Sequence, residues 1–218
     1  MAYEDYTTYT KVDPNSRFSV SANQITVTDI TKNEDAYISK DFGENYFDDT
    51  TEINFDGEIT SSELYSSVFI LRLANYVGKD PPASPENRIR TQLAKISGGS
   101  NVIRLYVNDD GGDVNNDYSA ISVNTRYYMN FKRTSTSITV KIYTDNNHTN
   151  LYDTISVSDL TAGVKYQYLD VVHSNNSGST YKISVKTYNH EILSPSGTTP
   201  SSSQKFIPEY STGTFIKT

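Results

Sequence analysis

The side chains with most chemical potential in this chain are carboxylates. In "EINFDGEIT", Glu52, Asp56 and Glu58 fall on one face of a strand with Asn54, while Ile53, Phe55 and Ile59 fall on the other, because successive strand residues point to opposite faces. Two carboxylates flanking a glycosidic bond are the machinery of glycoside hydrolysis, and a retaining pair stands about 5–5.5 Å apart. Neighbours two apart on a strand are separated by about 6.5–7 Å. The polar side of an amphipathic strand is ordinarily a solvated surface, and these three acids are expected to form one.

Other catalytic constellations are missing. His148, His173 and His190 show no HxH or HExxH spacing, so they are expected at turns and strand ends and not around zinc. There is no G-x-S-x-G elbow. Gly98-Gly99 and Gly111-Gly112 read as turn glycines, not a phosphate cradle. With no cysteine, thiolate chemistry and disulfides are excluded. No catalytic residue is assigned, and the chain is read as a non-enzyme.

Two binding chemistries stay open. Asp109, Asp110, Asp113 and Asp117 crowd one turn with Asn115 and Asn116, and Ca²⁺ takes six to eight oxygens from such loops. The spacing is not that of an EF-hand, and Asp and Asn are also ordinary hairpin residues. Tyr128, Tyr143, Tyr152 and Tyr188 point outward by parity. An outward tyrosine serves as a sugar platform, a protein-contact anchor or a plain strand former.

The elements that must position these groups are strands. "RYYMNFKRTSTSITVKIYTD" (126–145) alternates Tyr127, Met129 and Phe131 with polar neighbours, turns through Thr and Ser, and returns with Ile138, Val140 and Ile142 on one face, the period-two pattern of a hairpin. "NVIRLYVND" places Ile103, Leu105 and Val107 inward, and "YKISVKTY" does so with Tyr181, Ile183 and Val185. "SVFILRLA" is apolar on both faces, as in a strand covered on each side. "SPENRIRTQLAKI" fits a helical or a strand period. Roughly a dozen strands at about 8–12-residue spacing indicate an all-β sandwich or barrel.

"SVNTRYYMNFKRTSTSITVKIYTDNNHTNLYDTISV", with the Tyr127-Tyr128 pair, the basic Lys132 and Arg133 before the turn and a return strand ending at Tyr143, resembles the central hairpin of laminin-G-like domains in the concanavalin A-like lectin/glucanase superfamily. "DFGENYFDDTTEINFDGEIT" and "SVFILRLAN" resemble the strands of such domains in order, and the likeness spans roughly Phe18 to Leu193. It extends to domains of this kind in phage and environmental viral proteins, including the opening "YEDYTTYTKVDPNSRFSV". The resemblance implies an all-β, two-sheet antiparallel jelly-roll sandwich. The glucanase branch carries E-x-D-x-x-E on one strand. Here Phe47 stands where its first glutamate belongs, before Asp49 and Glu52, so glucanase activity is not implied.

Bulk properties narrow the partners. Of 218 residues, 35% are hydrophobic and 21% charged, with Tyr at 18, Phe at 8 and Trp absent. The net charge is −7 and the isoelectric point about 4.9, with no basic run along the sequence. Nucleic acid and anionic membranes, which ask for a basic stripe, are not expected partners. No apolar run approaches the ~18 residues of a membrane span, and the start shows no secretion signal.

The organisation expected is an N-terminal arm at 1–16, a jelly roll at 17–193, a flexible linker at 194–205 rich in Ser, Thr and Pro, and a tail at 206–218. The tail carries Phe206, Ile207, Tyr210, Phe215 and Ile216. It either folds back or docks on protein subunits of a larger assembly, and docking is favoured. Three function classes remain. One is a structural surface protein of a virus (a virion decoration, fibre or tail-associated module), present on the virion or outside the cell after lysis, that also holds surface glycans. The second is a carbohydrate-binding module of a larger glycan-active or adhesion protein. The third is a glycan hydrolase or lyase with a degenerate site.

Overall fold

The computed structural model describes residues 3–78, 87–109, 112–174 and 180–194; of residues 113–117 and 194 it describes the backbone alone. In chain order the strands are β1 (Thr10–Val12), β2 (Phe18–Val20), β3 (Gln24–Thr31), β4 (Tyr37–Asp41), β5 (Glu52–Ser62), β6 (Ser67–Ala74) and β7 (Arg88–Lys95). They continue with β8 (Asn101–Asp109), β9 (Gly112–Ile121), β10 (Tyr127–Arg133), β11 (Ile138–Tyr143), β12 (Leu151–Val157), β13 (Tyr168–Ser174) and β14 (Lys182–Ser194). They form two seven-stranded sheets: sheet A, in the order β1-β4-β13-β6-β7-β8-β9, and sheet B, in the order β12-β11-β10-β5-β14-β3-β2. Neighbours within each sheet run antiparallel.

The core lies between the sheets, where the sequence periodicity places it. Tyr127, Met129 and Phe131 of β10 and Ile138, Val140 and Ile142 of β11 are all buried, and the Thr134 amide donates to the Ser137 carbonyl to close their turn. From sheet A, Ile103, Leu105 and Val107 meet them in the same cluster. The sheets approach most closely at Gly57. A Cβ there would stand 2.7 Å from Ile70 Cδ1 and 3.4 Å from Leu93 Cδ1, both of sheet A, and 3.3 Å from Met129 Cε.

Three expectations change. The ambiguous 84–96 stretch is extended at Arg88–Lys95, where pairing with β6 and β8 decides between the two periods. Residues 3–16, set apart in sequence as an arm, pack on the sandwich: β1 pairs with β4 and Tyr6 and Tyr9 are buried in the core. Tyr181, placed inward by alternation, precedes β14 and is exposed. Among the described residues no helix is long and apolar enough to cross a membrane.

Candidate ligand-binding site

The outer face of sheet A is built from side chains that do not face the core. Cross-strand pairing assembles one row from Ser39, Asp170, Arg72, Arg90 and Tyr106. A second row runs Tyr37, His173, Phe69, Gln92, Arg104 and Tyr118. Simple alternation would put Phe69 and Arg72 on opposite faces, and likewise Asp170 and His173. Register shifts between Phe69 and Leu71 in β6, and between Asp170 and Val172 in β13, re-phase both strands. A bulge adds a residue to one strand and re-aims those beyond it. Ile70-Leu71 and Val171-Val172 therefore both face the core, and both flanking pairs face out.

This face is polar yet buried. Arg72 is paired with Asp170, and both side chains are inaccessible; the guanidinium also stacks over Tyr76, 4.5 Å from its centroid. His173, expected at a strand end on the surface, is fully buried, with Nδ1 2.5 Å from the Ser174 carbonyl and Nε2 2.8 Å from that of Gly78. Both ring nitrogens stand against main-chain carbonyls, which holds the ring in place as part of the fold.

Beside them opens a cavity of about 540 Å³. Its floor is Phe69, Arg90 and Gln92, and Tyr65 and Tyr118 stand exposed at its edge. Four cations line it: Lys32 from the β3–β4 connection, Arg90, Lys95 and Arg104. Among the described lining residues there is no carboxylate. Arg90 lies over Tyr106, 4.1 Å from the ring centroid, and 5.2 Å from that of Phe69, contacts in which an aromatic face holds a cation in a fixed plane. Arg104 Nε is buried without a hydrogen-bond partner among the described residues. Lys32 is held below the usual lysine range, first by burial and then by repulsion from Arg104. The sequence shows no basic run because these cations come from two strands, the end of one of them and a loop; only pairing brings them together.

The outer face of sheet B, where the sequence placed its candidates, is arranged differently. Tyr143, Tyr128, Asp56, Tyr188 and Gln24 form one cross-strand row. The expectation of a solvated acid face fails at Asp56, which is buried and paired with Arg126 at 2.5 Å. Burial raises the Asp56 pKa against the opposing pull of that arginine. Arg126 sits 3.9 Å from the Tyr188 ring centroid and 5.1 Å from that of Tyr128. Tyr188 is only 9% exposed; burial and its hydrogen bond to Glu58 push its phenol up to about 12. Glu52 accepts from Asn130 and pairs with Lys132 at 3.3 Å. Every acid of the strand is engaged, and the face is knit by its own side chains.

The remaining candidates are scattered. Tyr143 packs edge-on against His148, with centroids 4.9 Å apart. Tyr152, on β12, is exposed and donates to the Ala120 carbonyl. Asp109 accepts from the Thr161 amide at 2.7 Å and so fastens the loop after β12. Asp113 and Asp117 lie in β9 with only their backbone described, and Asp110 lies outside the described residues, as do Phe206, Ile207, Tyr210, Phe215 and Ile216. Among the described residues no group of three or more His, Asp or Glu is placed to hold a metal.

No protein-family model matches the chain, and no curated protein matches it in sequence. Solved structures do match in shape. A functionally unknown protein from Saccharomyces cerevisiae is 9% identical with a TM-score of 0.57, over 88% of this chain and 100% of its own. The alginate lyase Aly36B, as a double mutant in complex with alginate trisaccharide, is 13% identical with a TM-score of 0.53, over 86% and 88%. A Bacillus licheniformis beta-glucanase is 10% identical with a TM-score of 0.51, over 86% and 94%. Such likeness is one of fold alone: the chain is a two-sheet antiparallel jelly-roll sandwich of the shape these structures share.

Proposed function

We propose that the chain is a non-enzymatic glycan-binding module whose ligand occupies the cavity on the outer face of sheet A. The observation that carries this is the cavity itself: concave, about 540 Å³, and lined by aromatic rings beside an amide and several hydroxyls. That volume falls within the roughly 300–1,000 Å³ of small-ligand sites, and flat rings beside hydrogen-bonding groups are what a sugar ring needs. Neighbours of the same fold, among them an alginate lyase bound to an alginate trisaccharide and a beta-glucanase, support a saccharide as the ligand. Binding without turnover is favoured because the described lining carries no pair of acids and His173 is fully engaged. Within this reading the module is placed as a virion decoration, fibre or tail-associated protein, with the Ser/Thr/Pro-rich stretch and apolar residues of 194–218 as its means of docking on protein subunits.

A panel of oligosaccharides titrated calorimetrically into the full chain tests the reading. At least one glycan binds, and Tyr106→Ala weakens it roughly tenfold, as expected for an aromatic anchor. Cleavage of the bound glycan overturns the non-enzymatic part; undiminished binding by the variant removes the site from this cavity.

A further inference from the structure

We infer that the cavity selects an acidic saccharide, one bearing carboxylate or sulfate groups, and that Arg104 and Lys32 are its principal charge contacts. This rests on the glycan-binding reading and names its ligand class.

The inference begins from a contrast of charge. The whole chain carries −7, yet Lys32, Arg90, Lys95 and Arg104 converge on one cavity whose described lining has no Asp or Glu. Among the described residues Arg17 pairs with Glu34, Lys40 with Glu4, Arg126 with Asp56 and the buried Arg133 with Asp49, whereas neither Lys32 nor Arg104 pairs with a described carboxylate. Lys95 reaches the Ser62 carbonyl, at 3.4 Å, and not a carboxylate. Lys32 and Arg104 are close enough to repel, and the buried Nε of Arg104 meets no acceptor among the described residues. Crowded cations in a partly desolvated site raise the free energy of the empty state, and an anion placed between them relieves it.

The geometry also limits which anion. A guanidinium offers two parallel N–H donors that match a carboxylate or sulfate edge, and Arg104 brings such a fork to the cavity lining. A single inorganic ion would leave most of a cavity this size, and the faces of Phe69, Tyr106 and Tyr118, without contact. Sugar rings fill that space while their acidic substituents meet the cations. A nucleic acid would instead need a basic track extending beyond the cavity, which an acidic chain does not offer.

The test uses the full chain and three oligosaccharides of equal length: an oligouronate, a sulfated oligosaccharide and a neutral glucan. The expected result is binding of at least one acidic ligand, weakened roughly tenfold between about 50 mM and about 500 mM salt, since screening shortens the Debye length severalfold. Arg104→Ala lowers that affinity by roughly tenfold or more, and Arg104→Lys recovers only part, because a point charge lacks the fork. Lys32→Ala also weakens acidic binding, while its melting temperature holds or rises because a repulsion is removed, so a folding defect is not mistaken for a lost contact. Which acidic ligand binds distinguishes carboxylate from sulfate as the group recognised. If the neutral glucan binds as tightly and without salt dependence, the charge inference fails while the glycan-binding function stands. If no oligosaccharide binds, both fail. If a single-stranded oligonucleotide binds more tightly than either acidic glycan, the ligand class is overturned.

Discussion

His190 shows how far a residue's fate departs from its local sequence. Its spacing places it with surface histidines. In the fold it is fully buried: Nδ1 accepts from the Tyr6 hydroxyl at 2.7 Å, Nε2 donates to the Ile70 carbonyl at 2.9 Å, and Phe55 stacks on the ring. Burial pushes its pKa down to about 3, against about 6.5 in the unfolded chain. Between those values the unfolded state binds the proton and the folded state does not, so stability is complete above about pH 6.5 and is lost as pH falls. This one group tilts the unfolding free energy by at most about 1.4 kcal/mol per pH unit. Glu34, whose carboxyl is held low by Arg17 and Asn15 despite its burial, loses stability in the same direction at lower pH, so the histidine is isolated by difference. His190→Gln is expected to flatten the dependence of unfolding free energy between about pH 6.5 and 4; parallel profiles for variant and wild type would contradict this. Nothing around "TYNHE" signals that burial, because its partners Tyr6, Phe55 and Ile70 are remote in sequence.

Among elements, the legible ones are those whose alternation runs unbroken. β10 and β11 pair from Tyr128–Tyr143 to Arg133–Ile138 without a register shift, and every apolar alternate named from their sequence is in the core. β6 and β13 each contain a shift, and there parity misleads. "SVFILRLA" gives away that it is covered on both faces, and all eight residues are indeed buried. It does not reveal that Phe69 and Arg72 share a face. That is why the candidate site was not legible: its side chains are re-phased by bulges, and its cations are spread over residues 32–104. The Tyr128–Asp56–Tyr188 row was legible as an outward face, but its closure around Arg126 was not. The sheet-to-sheet approach at Gly57 has its own consequence. Gly57→Ala drives a methyl to within 2.7 Å of Ile70 Cδ1, and Met129 and Leu93 stand too close behind for the core to yield freely. Overpacking of this kind costs about 1–3 kcal/mol. Chemical denaturation should show that loss; an unchanged midpoint would mean that the two sheets stand farther apart here.

At the scale of the whole molecule the two outer faces are set in opposition. Sheet B turns outward a mesh of acids, amides and tyrosines, knit by neighbours across the strands. Sheet A turns outward a cationic, aromatic-lined cavity beside a buried Arg72–Asp170 pair. The acidic total charge hides the second face from any account of composition. If sheet A is the working face, an acidic oligosaccharide engages β6, β7 and β8 and leaves the centre of sheet B untouched. The measurement that reads this most directly is amide chemical-shift mapping by NMR during titration of the ¹⁵N-labelled full chain with an oligouronate. The account predicts perturbations concentrated at Ser67–Phe69, Arg90–Lys95 and Arg104–Tyr106. Perturbations confined to Asp56, Tyr128, Tyr143 and Tyr188 would contradict it and transfer the site to the opposite sheet.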